Sequence, residues 1–414
     1  MVSRVAVTGL GLVTPVGNTV AETWDALCRG VSGVGPITRF DASAFSVRIA
    51  AEVRGFDPMQ YMDCKEVRRT DINVWYAVAA AKQAITDAGL EVTDELANNT
   101  GVIIGSGIAA SPRLDEHFQV LREGRPDRIT PFLSTMLMPD AASSIISMML
   151  KAKGPNFCTS SACATSANAI GEAADKIRFG RAQVMIAGGT EALISGIGIA
   201  AFASARALSR RNDDPATASR PFDATRDGFV MGEGAGVMIL EDLELARRRG
   251  ARIYCELVGY GATSDAYHIT EPAPGGEGLV RAMREALDQA HLPPEAVDYI
   301  NAHGTATIYN DRTETTAIKT VFGEHAYRLA VSSSKSMIGH TIGAAGGIEA
   351  AIAVLSIVHG IIPPTINLHH PDPECDLDYV PNEARYRAVN VALSNSMGFG
   401  GHNVCLLFKR YEGD

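Results

Sequence analysis

The sequence predicts an α/β fold: a sheet covered on both faces by helices and built from two related halves. Two observations carry that prediction. Short β-branched runs alternate with helical stretches from one end of the chain to the other. Two Ala- and Gly-rich helical segments, far apart in sequence, also share one layout.

In chain order, Arg4–Thr8 is the first strand-like run, and Gly9 and Gly11 are expected to break it. Gly101–Ile104, Val184–Ala187, Arg252–Gly259, Tyr299–Ala302 and Val391–Ser394 read as further strands, each closed by Gly or a Ser/Asn cluster. Helices are expected over Val74–Ala88, Ala164–Phe179, Gly278–Ala290 and Ile342–Val358. The segments TSSACATSANAIGEAADKIRFG (159–180) and MIGHTIGAAGGIEAAIAVLSIVHG (337–360) each pass from a polar loop into a helix of small residues. Each then stops at a Gly suited to a helix end. Small side chains on nearly every face imply neighbours on several sides. A duplicated α/β unit is the economical reading, with halves 1–250 and 251–414. The run RRRGAR at 247–252 is then the surface crossing between them.

Composition bounds the function. The chain has 414 residues, enough for two or three domain-sized units. Hydrophobic residues at 46% and charged ones at 20% exclude wholesale disorder. The net charge of −10 argues against a nucleic-acid binder and requires a local basic patch for any acidic partner. Seven cysteines with no Cys-x-x-Cys pair fit neither a disulfide framework nor a zinc ribbon. The opening MVSRVAVTGLGLVTP lacks the basic-then-apolar pattern of a secretory signal. Ile342–Val358 carries Glu349 at its middle and reads as a buried core helix rather than a membrane span. A cytoplasmic protein without membrane insertion is expected.

Several motifs are weak. Gly9-Leu-Gly11 and Gly105-Ser-Gly107 half-fit a dinucleotide fingerprint but lack its final Gly. Ser332-Ser-Ser-Lys335 matches S-x-x-K, with no S-D-N or K-T-G to follow. His369-His370 with Cys375 sits in a Pro-rich loop and reads as turn capping before metal binding.

Cys163 lies at a loop-to-helix junction, where Ser160 and Ser161 can cap the helix. A thiol there faces the positive end of the helix dipole, which favours the thiolate. Taken alone, a cysteine among alanines is first of all a small buried hydrophobe. His303 in NAHGTAT and His340 in KSMIGHTIGAAGG change that balance. One cysteine and two histidines all stand at element ends beside glycines, where reactive groups are presented. Lys335, Asp311, Glu314 and Glu349 add ionisable groups nearby in sequence, and Glu349 needs a partner if buried.

The strings TSSACATSANAIGEA, SRPFDATRDGFVMGEGAGVMILE, NAHGTAT, SSSKSMIGHTIGAAGGIEA, PPTINL and NSMGFGGHN together resemble the elongating β-ketoacyl-[acyl-carrier-protein] synthases, of the synthase II type. The resemblance spans residues 3–410. It implies a thiolase-like, five-layered αβαβα fold of two pseudo-symmetric halves, usually a homodimer. It implies Cys163 as nucleophile, with His303 and His340 as the histidine pair and Lys335 beside them. Asp311, Glu314 and Glu349 would support these groups. Phe399 would gate the acyl pocket, and its N–H and that of Cys163 would form the oxyanion hole. Thr270, Thr305 and Thr307 would bind the phosphopantetheine arm, and Ile108, Gly198, Phe202 and Met397 would shape the acyl pocket. Lys65, Arg68, Arg69 and Arg206 would dock an acyl carrier protein, although solvated surface charge explains any one of them equally well. Arg210 and Arg211 extend the second basic group.

The implied reaction is a decarboxylative condensation of an acyl group on Cys163 with malonyl-carrier protein, needing no metal and no redox cofactor. The implied setting is fatty acid elongation. The alternative is a ketosynthase of a type II polyketide or polyene pathway, paired with a chain-length-factor subunit. A degradative thiolase is disfavoured, because His340 stands where that class has a second cysteine. Tyr309, Met397, Ala109-Ala110 and Glu271 depart from the common pattern, which implies an altered acyl or carrier preference.

Overall fold

A computed structural model of the protein describes residues 2–109 and 111–413, so Ala110 lies outside the described residues. Ten strands form the main sheet. The first five are β1 (Val5–Val13), β2 (Thr100–Gly105), β3 (Asn156–Phe157), β4 (Val184–Glu191) and β5 (Gly234–Asp242). The second five are β6 (Cys255–Ser264), β7 (Tyr299–Asn301), β8 (Ala330–Ser332), β9 (Val391–Gly398) and β10 (His402–Lys409). Their spatial order is β8-β7-β9-β10-β6-β1-β5-β4-β2-β3.

Outward from the centre, each set runs first, fifth, fourth, second, third. In both, the first and fifth strands and the fifth and fourth pair antiparallel, and the remaining pairs are parallel. The sets meet where β1 and β6 pair antiparallel through Ala6↔Glu256 and Val7↔Cys255. Helices on its faces complete the layers. Helices α2 (Thr165–Arg178) and α4 (Ala345–His359) pack on each other in the middle. On the outer faces, α1 (Ile72–Ala88) covers β1 and β5, and α3 (Glu277–Ala290) covers β6 and β10. This is the thiolase-like α/β arrangement of two pseudo-symmetric halves.

Gly9 and Gly11 do not break the first strand, which continues to Val13. A Cβ at Gly9 would lie 2.1 Å from the carbonyl oxygen of Ala84, and one at Gly11 1.8 Å from that of Ala80. The glycines are there because the backbone of α1 rests directly on the strand. The second half repeats the device: Cβ atoms at Gly259 and Gly261 would meet the carbonyls of Ala286 and Ala282 at 2.1 and 2.0 Å. The strand predicted from Arg252, β6, instead begins at Cys255, and Arg252 makes an ion pair with Asp87. Strands β4 and β9 run on past their predicted ends to Glu191 and Gly398.

The two central helices enter in the same way. Each follows a 3₁₀ turn, Ala162–Ala164 or Ile342–Ala344, whose first residue is left-handed: Ala162 at φ 50 and Ile342 at φ 47. Each helical run then gives way to a left-handed glycine, Gly180 or Gly360. Helix α4 is apolar and long enough to cross a membrane, but it is buried at the core, and Glu349 within it pairs with Lys335. Its glycines permit close approach. A Cβ at Gly347 would lie 2.5 Å from the carbonyl oxygen of Gly236 in β5, and one at Gly346 2.7 Å from Ala167 in α2.

Candidate active site

Cys163 is the middle residue of the 3₁₀ turn that opens α2. The serines expected to cap this helix do not cap it. Ser161 Oγ accepts from Asn168 Nδ2 at 2.6 Å, and the Ser161 N–H donates to Thr165 Oγ1 at 2.8 Å. Asn168 is held in turn by the Tyr260 hydroxyl at 2.8 Å. The expectation of a thiolate is also reversed. Burial pushes the Cys163 thiol up to about 12, against the pull of the Lys335 cation and the Phe399 N–H. A helix dipole supplies roughly 0.3–2 kcal/mol, and desolvation of a fully buried charge outweighs it.

His303 follows β7. Its N–H and that of Gly304 each donate to the Glu314 carboxylate at 2.8 Å, and Gly304 takes a φ of 36 that favours glycine. His340 follows the short helix Lys335–Ile338. Its backbone is locked by its N–H to Val230 O at 2.7 Å and by Gly232 N–H to His340 O at 2.9 Å. The imidazole rings stand perpendicular, centroids 5.3 Å apart. The Cys163 sulfur and a ring nitrogen of each histidine lie within 4.8 Å of one another. Burial, with Lys335 adding to it, holds both histidines well below their ordinary range, so both are neutral.

Lys335 Nζ lies 3.4 Å from His303 Nδ1 and is ion-paired with Glu349. An ammonium can only donate, so Nδ1 accepts and the ring proton sits on Nε2. Glu349 is pushed up to about 7 by burial, with Lys335 opposing. A Cβ at Gly398 would lie 2.6 Å from Ser161 O and 3.2 Å from Cys163 N, so only glycine lets this backbone lie against the cysteine. The next residue, Phe399, donates its N–H to the Cys163 sulfur. A cysteine, two neutral imidazoles and adjacent amide donors make a site for acyl transfer.

Residues 2–246 match the model of the β-ketoacyl synthase N-terminal domain, and residues 254–369 match that of its C-terminal domain. The chain belongs to the β-ketoacyl synthase family. The synthase is 55% identical over 409 residues to a 3-oxoacyl-[acyl-carrier-protein] synthase 2 of Synechocystis sp., covering 99% of this chain and 98% of that one. Identity to the protein of the same name in Coxiella burnetii is 50%, with 98% of each chain covered. Among solved structures it resembles one described as the ishigamide ketosynthase/chain length factor, with TM-score 0.93 and 37% identity over 99% of this chain and 100% of that one. A β-ketoacyl synthase from Burkholderia phymatum STM815 superposes with TM-score 0.92 and 37% identity, over 99% of this chain and 100% of that one.

The cluster of Cys163, His303 and His340 opens into a cavity of about 370 Å³. Phe202, Met397 and Phe399 line it, with the Phe202 and Phe399 rings 6.5 Å apart. Thr270, Thr305 and Thr307 line it as well, and the last two hydroxyls lie 3.0 Å apart. Glu271 and Tyr309, which depart from the common pattern, stand on the same wall. Ile108 and Gly198 do not line this cavity. Ile108 is half exposed with its N–H on Glu191, and Gly198 donates its N–H to Ser195 Oγ. Arg206 lines the cavity, whereas Lys65, Arg68 and Arg69 stand exposed on the helix Cys64–Arg69 outside it. Arg69 lies over the Phe132 ring at 4.9 Å.

Asp311 is buried with Arg226, and its carboxylate accepts from the N–H groups of Phe222 at 2.9 Å and Ala306 at 3.2 Å. Burial raises Asp311 and Glu314 above the usual carboxylate range despite these donors. The sequence reading missed Arg226 and the fully buried Glu191, whose carboxyl burial pushes upward against its N–H donors. The signal for Glu191 is the one that marks Glu349: a lone acid in an apolar element. Elsewhere, the N–H groups of His369 and His370 both donate to Asp223, as a capped loop requires. Ser332 is hydrogen-bonded to the Tyr299 hydroxyl at 2.9 Å, away from any S-x-x-K chemistry.

Proposed function

We propose that the protein elongates acyl chains carried on an acyl carrier protein, with Cys163 as nucleophile. The observation that carries this reading is the Cys163–His303–His340 cluster, within 4.8 Å, at the end of the cavity. Because the thiol is protonated, a neutral imidazole must take its proton as sulfur attacks the acyl thioester. The N–H groups of Cys163 and Phe399 hold the tetrahedral oxyanion. The carrier leaves as a thiol with that proton, and the acyl group stays on sulfur. Malonyl-carrier protein then loses carbon dioxide, and the histidines donate to the enolate oxygen. The enolate carbon attacks the acyl-Cys163 carbonyl, releasing β-ketoacyl-carrier protein and a Cys163 thiolate that regains its proton from water. Lys335, ion-paired with Glu349, orients His303, which burial keeps neutral.

Thr270, Thr305 and Thr307 bind the pantetheine arm in this reading, and Arg206 with Lys65, Arg68 and Arg69 receives the acidic carrier. Residues 1–250 and 251–414 are its two domains, the first supplying the nucleophile and the second the histidines. A homodimer is part of the reading. The exposed apolar residues Phe118, Leu121, Phe132, Leu137, Met138 and Met148 support it, as does the position of β3 at the edge of the sheet. A cytoplasmic location accords with the burial of α4.

A type II polyketide ketosynthase is the second reading. It is favoured by Glu271 and Tyr309 on the cavity wall. It is also favoured by a solved likeness described as a type II PKS acyl-carrier protein in complex with its ketosynthase bound to the hexaketide, with TM-score 0.92 and 35% identity over 99% of this chain and 100% of that one. The test offers malonyl-carrier protein with a panel of acyl-carrier proteins and follows acyl-Cys163 and β-ketoacyl product by intact-protein mass spectrometry. Condensation on saturated chains, lost in Cys163→Ala, supports elongation. Activity confined to polyunsaturated chains, or requiring a second subunit, supports the other reading. No acylation from any carrier overturns both.

A further inference from the structure

We infer that Glu191 is a positioning residue for the inner wall of the acyl cavity, holding the strained Ile342 backbone in place by accepting the Gly343 N–H. Glu191 ends β4 and is fully buried. Its carboxylate accepts the N–H groups of Gly107 at 2.9 Å, Ile108 at 3.2 Å and Gly343 at 3.1 Å, and the Ser106 hydroxyl at 3.3 Å. It therefore ties the segment after β2, in the first half, to the turn that opens α4, in the second. No space is left around it. A Cβ at Gly107 would lie 2.7 Å from Glu191 Oε2, and one at Gly343 would lie 2.6 Å from that oxygen and 2.4 Å from Gly107 N.

The duplication gives this contact its meaning. Cys163 and Gly343 hold the same position in the two 3₁₀ turns, each just after a left-handed residue. In the first turn that position holds Cys163, which lines the cavity. In the second, the N–H at the equivalent position is already occupied by the carboxylate of Glu191. The residue it secures is costly. A β-branched side chain at φ 47 is a genuine backbone outlier. Ile342 lines the cavity beside Cys163 and His340. Released from the clamp, its backbone relaxes and its side chain shifts against the acyl chain.

This inference rests on the acyl-transfer reading above, and the test separates the two. Glu191→Gln keeps the shape but turns one acceptor oxygen into a donor facing N–H donors. We expect Cys163 self-acylation by long-chain acyl-carrier protein to fall at least tenfold through its KM, with acetyl transfer changed less than twofold. In an Ile342→Gly background, where the left-handed turn carries no strain, adding Glu191→Gln should cost less than twofold on any chain. An equal loss at all chain lengths, or additive losses in the double variant, overturns the inference. Should Glu191→Gln alone fail to fold, a double variant that folds supports the inference and one that does not overturns it. Failure of the wild type to acylate at all instead sinks the acyl-transfer reading.

Discussion

Arg226 and Asp311 form a buried ion pair, Nε to Oδ2 at 3.1 Å, beneath the segment that carries Thr305 and Thr307. The same guanidinium donates to Asp372 at 2.8 Å and to the carbonyl oxygens of Thr307 and Ile308 at 3.3 Å each. Removing one partner leaves a buried charge uncompensated, which costs about 3–5 kcal/mol. Arg226→Met is expected to lose that much in urea unfolding. Any folded fraction should show a raised KM for carrier thioesters with a smaller change in kcat, because the threonine segment loses its anchor.

The Cys163 thiol, pushed up to about 12 by burial, sets the second prediction. Only thiolate is alkylated, and far below its pKa the thiolate fraction rises about tenfold per pH unit. Iodoacetamide labelling of Cys163, read by peptide mass spectrometry, should therefore climb from pH 7 to pH 10 without a plateau. Lys335→Met removes the cation that favours thiolate and should slow labelling at every pH. A plateau near pH 8 would show that burial does not control this thiol.

Glycines at close helix–strand contacts should behave unlike glycines at exposed turns. Gly11→Ala places a Cβ 1.8 Å from Ala80 O, and Gly261→Ala one 2.0 Å from Ala282 O. Each should lower stability by more than about 3 kcal/mol, since backbone must move. Gly89, at φ 55 with open space around it, should lose only about 1 kcal/mol on change to Ala. Thermal melts of the three variants test the contrast.

Charge reversal at the docking residues should discriminate between substrates. Rim charges act mainly on encounter with the partner. Arg206→Glu together with Lys65→Glu is expected to raise KM for acyl-carrier protein about tenfold or more. With a small acyl thioester that lacks the carrier, KM should hold within about twofold. Equal losses on both substrates would place these residues outside docking.

The duplicated plan was legible because it is written twice, in residues 159–180 and 337–360, and the structure repeats it down to Ala162 and Ile342. Cys163, His303 and His340 were legible as chemistry at element ends, and the fold brings them together. Gly9 and Gly11 misled because local propensity treats glycine as a break, whereas a helix far along the chain, at Ala80 and Ala84, decides their use. The state of Cys163 was misjudged for a related reason: a dipole follows from the chain, but burial follows from everything packed around it. Arg226 stayed hidden because its partners Asp311 and Asp372 lie far along the chain.

The position of β1 has a consequence for biosynthesis. The first strand made is the one at the centre of the finished sheet, and its pairing with β6 waits for Cys255 and Glu256 to emerge. Helix α2 waits longer, since α4 is formed from residues 345–359. A nascent first half thus leaves the ribosome with its central helix, and the part of β5 that α4 covers, exposed. Such a surface invites chaperones or association with other nascent copies. Residues 1–250 made alone should bind a hydrophobic dye strongly, and the full chain should not.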